Sequence, residues 1–233
     1  MRYFLGLISG LLFFSSCTDE NMMNLSGSVD GLRKGTIILE KYADTNFVAI
    51  DSIIVNGDSN FSFQDIISSP EMYYLHVEAN GDQLKDETLP FFAEPGDITI
   101  HTSLDNLILD AKITGSANEA LRKEYQKIIN RYNNKNLDFI QESFNAKVAG
   151  NDSLAEVLTN KQRSNIGAKY LATVNFALNN NDTELAPYLA ISEIYDANLK
   201  YLDTIYKTLT PRIQSSKYGK SLAEFIQQRS KEE

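Results

Sequence analysis

From Leu25 to about Thr114, apolar and polar residues alternate in short runs. Phe61 and Phe63 alternate with Ser62 and Gln64, and Ile98 and Ile100 with Thr99 and His101. Tyr73, Leu75, Val77 and Ala79 alternate with Tyr74, His76 and Glu78. A period of two sends successive side chains to opposite faces and marks strands buried on one side. Between the runs stand Asp30-Gly31, Asn56-Gly57-Asp58, Ser69-Pro70, Asn80-Gly81-Asp82 and Glu94-Pro95-Gly96-Asp97. These residues suit tight turns and short loops. The pattern predicts seven or eight antiparallel strands, over 24–29, 36–42, 47–55, 60–65, 72–79, 89–93, 98–102 and 111–114.

After Gly115 the period becomes helical. Ser116-Ala117-Asn118-Glu119 has capping-box spacing, in which the serine oxygen and the glutamate satisfy backbone donors at the helix start. Leu121, Tyr125, Ile128, Ile129 and Tyr132 follow as one stripe, and Leu137, Ile140, Phe144 and Val148 form a further amphipathic segment. Ala149-Gly150-Asn151-Asp152 separates this part from a second helix, which Ser153-Leu154-Ala155-Glu156 opens with another capping box. Leu154, Leu158, Ile166, Tyr170, Val174 and Leu178 lie along one side of it, and Asn179-Asn180-Asn181-Asp182 ends it. Pro187 suits the first turn of a third helix carrying Tyr188, Ile191, Ile194 and Tyr195. A further helix near 201–209 stops before Pro211, and the last runs from about Tyr218. Each apolar stripe is expected to be core, because amphipathic packing is the default for such helices.

Strands followed by helices predict an α+β fold. The β part is expected to be an antiparallel sandwich or open barrel over 24–115, and the helical part to occupy 116–233. The two parts either share one core or stand as segregated domains.

The N-terminus has a different pattern. Arg2 precedes the apolar run Phe4 to Phe14, and Ser15 and Ser16 lead into Cys17, the only cysteine in 233 residues. A charged start, a short apolar stretch and small residues at a cleavage site compose a secretory signal over 1–16. The run is too short for a spanning helix, which needs about 20 residues to cross about 30 Å of hydrocarbon. Phe14-Ser15-Ser16-Cys17 resembles a bacterial lipobox, with Phe14 where leucine is usual. That resemblance implies that Cys17 is lipidated and becomes the N-terminus, with residues 17–23 as a tether. Two or more acyl chains then give stable anchoring. Asp19 and Glu20 resemble the surface-export signal of Bacteroidota lipoproteins, and an ordinary polar tether reads the same residues equally well.

Charge narrows the partners. Removing 1–16 takes away Arg2 and no carboxylate, so the net charge moves from −9 to −10. Such a surface repels nucleic acid and anionic lipid headgroups. A single cysteine allows neither an internal disulfide nor a dithiol redox centre.

Candidate chemistry is sparse. The two histidines, His76 and His101, fall on the polar side of their strands and could meet across adjacent strands. A metal or acid–base role would need further ligands or partners at defined geometry, and solvent-facing histidine is the simpler expectation. Glu94-Pro95-Gly96-Asp97 reads as a turn, since the alternating aspartates of a calcium loop are missing. Neither a metal nor another cofactor is expected. Tyr74 takes the face opposite Tyr73, exposed or covered by a neighbouring strand or the helical part. Asp51-Ser52-Ile53, Asp152-Ser153-Leu154 and Asp203-Thr204-Ile205 resemble the O-glycosylation motif of exported Bacteroidota proteins.

Several segments, in order, resemble one family. They are Leu25 to Leu32, Gly35-Thr36-Ile37-Ile38-Leu39, Asp51-Ser52 with Asn60-Phe61-Ser62-Phe63, Phe91 to Ile100, and Ile113-Thr114-Gly115-Ser116. Over roughly 24–116 the chain is similar to the domain of unknown function found N-terminal to thioredoxin-like, peroxiredoxin-related domains in Bacteroidota lipoproteins. The helical part resembles the segment that follows it, ending near Ser216-Lys217-Tyr218-Gly219-Lys220. In that family a thioredoxin-like domain with a Cys-x-x-Cys pair comes next. No such pair occurs here, so no catalytic residue carries over. The expectation is a non-enzymatic, lipid-anchored protein of the bacterial cell envelope, at the outer membrane and at the cell surface if the export signal operates. It would bind an unknown envelope protein or ligand as a binding or scaffolding module. The alternative is an accessory subunit of an envelope thiol–disulfide redox system.

Overall fold

A computed structural model describes residues 20–43, 46–80 and 85–232. The proposed signal peptide, Cys17, Asp19 and the Gly81-Asp82 part of one predicted turn lie outside these residues. Among the described residues, no helix is long and apolar enough to cross a membrane.

Eight strands form two four-stranded sheets. They are β1 (Met22–Asp30), β2 (Lys34–Ala43), β3 (Asn46–Asn56), β4 (Asn60–Ile66), β5 (Glu71–Ala79), β6 (Lys85–Ala93), β7 (Gly96–Ser103) and β8 (Lys112–Thr114). One sheet has the order β4-β1-β7-β8 and the other β3-β2-β5-β6. The fold is α+β and sandwich-like, as the pattern predicts. One pairing departs from the expected antiparallel scheme: β1 and β7 run parallel, with Leu25 beside Ile98 and Gly27 beside Ile100. Alternation decides which face a residue takes and carries no information on strand direction. Here β7 returns from the other sheet and enters beside β1 in the same sense.

The inner faces of both sheets share one core. Leu25, Val29, Ile37, Leu39, Phe61, Phe63, Tyr73, Leu75, Val77, Phe91, Ile98 and Ile100 are buried in it. Gly27 sits in the central strand β1, where an added Cβ would lie 1.8 Å from the Ile100 carbonyl oxygen and 2.8 Å from the Phe61 ring. The bare backbone is what lets β1 lie against this core at that point.

The helices are α1 (Ala117–Val148), α2 (Asp152–Asn179), α3 (Leu185–Ser192), α4 (Leu199–Thr208), α5 (Pro211–Gln214) and α6 (Lys217–Glu232). Ser116 caps α1, its side chain accepting from the Glu119 N–H at 3.0 Å. Asn151, rather than Ser153, caps α2 by accepting from the Leu154 N–H at 3.1 Å. The asparagine starts the helix two residues before Ser153, and its oxygen takes one of the unpaired N–H groups of that first turn. A second core lies among the helices, with Val174, Ala186, Ala190, Ile194, Leu202, Ile205, Ile213 and Leu222 buried.

The helical and β parts meet. Met72 and Phe92, paired across β5 and β6, are buried with Tyr125, Ile129, Leu185 and Leu189 of α1 and α3. Tyr73 and Phe91, one position away on each strand, are buried in the sandwich core instead. Strand alternation thus supplies two cores from adjacent residues, and the helices cover part of the outer face of β3-β2-β5-β6. Tyr74 is half-buried there, edge-on to Phe47 at 4.9 Å.

One expected core stripe is not core. Leu137, Ile140, Phe144 and Val148 are 63, 46, 65 and 74% exposed, and Leu154 is 45% exposed. The distal parts of α1 and α2 pack on each other, through Ala146, Ala155 and Leu158 with Phe139 beside them. A two-helix hairpin has one seam, so a stripe away from that seam stays in solvent.

Candidate functional site

β6 is an edge strand, and its outward backbone groups need partners. α1 supplies them. The Phe92 N–H donates to Glu119 Oε2 at 3.0 Å, and Arg122 Nη2 donates to the Pro90 carbonyl at 3.3 Å. Arg122 grips both carboxylate oxygens of Glu119 at 2.7 Å. Glu119 therefore does not close the capping box expected of it. Its carboxylate, buried to 1% exposure, seals a sheet edge. Glu94 accepts from the Ala117 and Asn118 N–H groups and from Asn118 Nδ2, so it holds the start of α1. Asn118 Oδ1 accepts from the Leu185 N–H, and Glu184 accepts from Arg212 at 2.7 Å.

Aromatic rings fill the rest of the junction. Phe92 lies edge-on to Tyr188 and Tyr218, and the Met72 N–H donates to the Tyr218 hydroxyl at 2.9 Å. Burial pushes the Tyr218 and Tyr188 hydroxyls above their ordinary range, so both stay neutral donors or acceptors. A groove of about 500 Å³ opens beside this junction, lined by Ser69, Glu184, Arg212, Ser216, Lys217 and Lys220. Arg212 is paired with Glu184 and Lys217 with Glu71, which leaves this groove little uncommitted charge.

The histidines do not meet. His76 is on β5 and His101 on β7, in different sheets. His101 is exposed, with Nδ1 2.9 Å from Ser28 Oγ. His76 is more enclosed than alternation suggests: Nε2 lies 2.7 Å from Asp86 Oδ1, and Nδ1 3.4 Å from Glu40 Oε1. Desolvation disfavours its cation, yet the hydrogen bonds and charges of Asp86 and Glu40 outweigh this and raise its pKa above 6.5. Among the described residues, no group of three His, Cys, Asp or Glu side chains is placed to hold a metal ion. Of the two residues expected to form an export signal, Glu20 is exposed in the turn before β1.

A groove of about 1010 Å³ runs between α1 and α2. Arg131, Lys135 and Lys161 line it, and no carboxylate does. Tyr132, Phe139 and Val157 supply apolar surface, and Lys135 Nζ lies 5.7 Å from the Phe139 ring centre. Asn165, 8% exposed, forms part of the wall and donates to the Tyr132 carbonyl at 2.9 Å. In a chain with 31 acidic and 22 basic residues, a groove with three cations and no acid is a local inversion of charge. Such a surface attracts an anion and can bury an attached apolar body. The signal lay in helical spacing: Arg131 and Lys135 are i, i+4, as are Val157, Lys161 and Asn165. Only the pairing of the two helices makes them one site.

Comparison with known families adds one finding. Residues 23–121 match the model described as Domain of unknown function (DUF4369). The match spans the sandwich and the first turn of α1, and it ends before Arg122 and before every residue lining the α1–α2 groove. No curated protein and no solved structure matches the chain.

Proposed function

We propose that this protein is a non-enzymatic binding module of the bacterial cell envelope, lipid-anchored through Cys17 and located at the outer membrane. Its ligand, free or displayed by an envelope protein, is anionic with an apolar portion, and it binds in the α1–α2 groove. The observation that carries the reading is the trio Arg131, Lys135 and Lys161 around Phe139 and Tyr132, without a carboxylate, in a chain of net charge −9. The leader pattern ending at Cys17 supports the anchor.

Two measurements test the two halves separately. Palmitate labelling in cells should mark the wild-type chain and not Cys17→Ala, and label on the variant would refute the anchor. Anilinonaphthalene sulfonate, an anionic aromatic probe, should bind the purified protein, and binding should weaken in Lys135→Glu/Lys161→Glu. Two reversed surface charges at about 0.2–1 kcal/mol each predict a loss of about twofold to about thirtyfold. Equal affinity in the variant would remove the groove from the proposal.

A further inference from the structure

On α2, Leu154, Val157, Lys161, Ser164, Ala168 and Leu171 recur at alternating intervals of three and four, the spacing of a coiled-coil seam. Val157, Lys161, Ser164 and Ala168 line the α1–α2 groove, and Leu154 and Leu171 carry the row past its two ends. Leu154, Val157 and Leu171 are 45, 48 and 49% exposed. At 1.5 Å per residue, Leu154 and Leu171 stand about 25 Å apart, the span of a helix of about 17 residues.

The charges around the row define what fits it. At about 100° per residue, Lys161 is the only charged residue of α2 within about 60° of the row. Glu156, Arg163 and Lys169 all point more than about 100° away from it. Across the groove, α1 adds Arg131 and Lys135. Asp138 and Glu142 follow nearer the hairpin tip, and Glu124 and Lys127 nearer the sandwich, and none of these four lines the groove. Unlike Arg212 and Lys217, the three lining cations form no ion pair among the described residues. The complement is a long apolar row with carboxylates at its middle.

Other occupants match less of this surface. A face that lies on a bilayer keeps its cations at the borders of an apolar centre, whereas Lys161 interrupts this row and the surface is concave. A small free anion leaves Leu154 and Leu171 uncovered. A second copy paired face to face by a two-fold axis brings the three cations against the same three cations. Residues 1–19 carry one carboxylate, Asp19, so that part of the chain does not supply the complement.

We infer that the groove receives an acidic amphipathic helix of a partner protein, seated between α1 and α2 as a third helix. Its apolar positions pack on Leu154, Val157, Ala168 and Leu171, and its carboxylates meet Arg131, Lys135 and Lys161. This rests on the reading of the groove as an anion site. The test uses the purified full-length chain in non-ionic detergent and a dye-labelled peptide of about three heptads, with Leu at a and d and Glu at e and g. Anisotropy should show binding, and circular dichroism a gain of helix. The same peptide with Lys in place of Glu, or with a central Pro, should not bind. Leu171→Glu lies outside the groove lining, and its exposed position leaves the fold intact. It should weaken peptide binding about fivefold or more and leave the affinity for anilinonaphthalene sulfonate unchanged. If Lys135→Glu/Lys161→Glu weakens the sulfonate but the acidic peptide never binds, the helix is overturned and the anion site stands. If that variant binds the sulfonate as wild type does, the site fails and the helix with it. Equal binding of the Lys or Pro peptide, or indifference of the acidic peptide to Leu171→Glu, would also overturn the helix. So would tighter binding of phosphatidylglycerol mixed micelles than of the peptide, or a dimer of the chain that Leu171→Glu dissociates.

Discussion

Replacing Glu119 by alanine perturbs the contact that joins the two halves of the molecule. The side chain is 1% exposed and serves two donors, the Phe92 N–H and the Arg122 guanidinium. Without it, the buried amide is orphaned at a cost of about 1–3 kcal/mol. Arg122, with a side chain 13% exposed, keeps only a 3.3 Å bond to the Pro90 carbonyl. Breaking a buried pair from one side costs about 3–5 kcal/mol. Both losses arise from one carboxylate and overlap, so about 3–5 kcal/mol is expected for the whole change, a large share of a typical 5–15 kcal/mol. Urea unfolding followed by circular dichroism measures it. Glu119→Leu/Arg122→Met leaves no unpaired charge and should lose less than Glu119→Ala alone. A Glu119→Ala midpoint within about 0.5 kcal/mol of wild type would refute the sheet-edge seal. The same variant uncovers β6 and should aggregate more readily.

Two further outcomes follow from local geometry. His76 has a folded pKa above its unfolded value of 6.5, so its contribution to stability is complete below about pH 6.5 and is lost as pH rises through the folded pKa. An NMR titration of the His76 ring should give a midpoint above 6.5, and Asp86→Asn should lower it; a midpoint at or below 6.5 would contradict the pairing. Gly27→Ala drives a Cβ to 1.8 Å from the Ile100 carbonyl oxygen, and that neighbour is backbone. Urea midpoints should show a loss of at least about 1–3 kcal/mol, the usual range for overpacking, and an unchanged midpoint would mean β1 can shift aside.

The sequence by itself determined the elements. Alternation around Phe61, Leu75 and Ile98 specified strands and their buried faces, and the 3.6 period after Gly115 specified the helices. These are local properties, legible because side-chain direction repeats with the backbone. The proposed leader and the proposed lipidation of Cys17 rest on sequence alone. Tertiary structure decided what meets what. It turned β7 parallel to β1, drew Glu119 from its expected cap to the edge of β6, and set His76 against Asp86 while separating it from His101. It also left Phe144 in solvent and gathered Arg131, Lys135 and Lys161 into one groove. A helical stripe records which residues share a face, and the number of neighbours available decides whether that face is covered. For the distal hairpin that number is one, so its two remaining faces stay open, one cationic and one apolar.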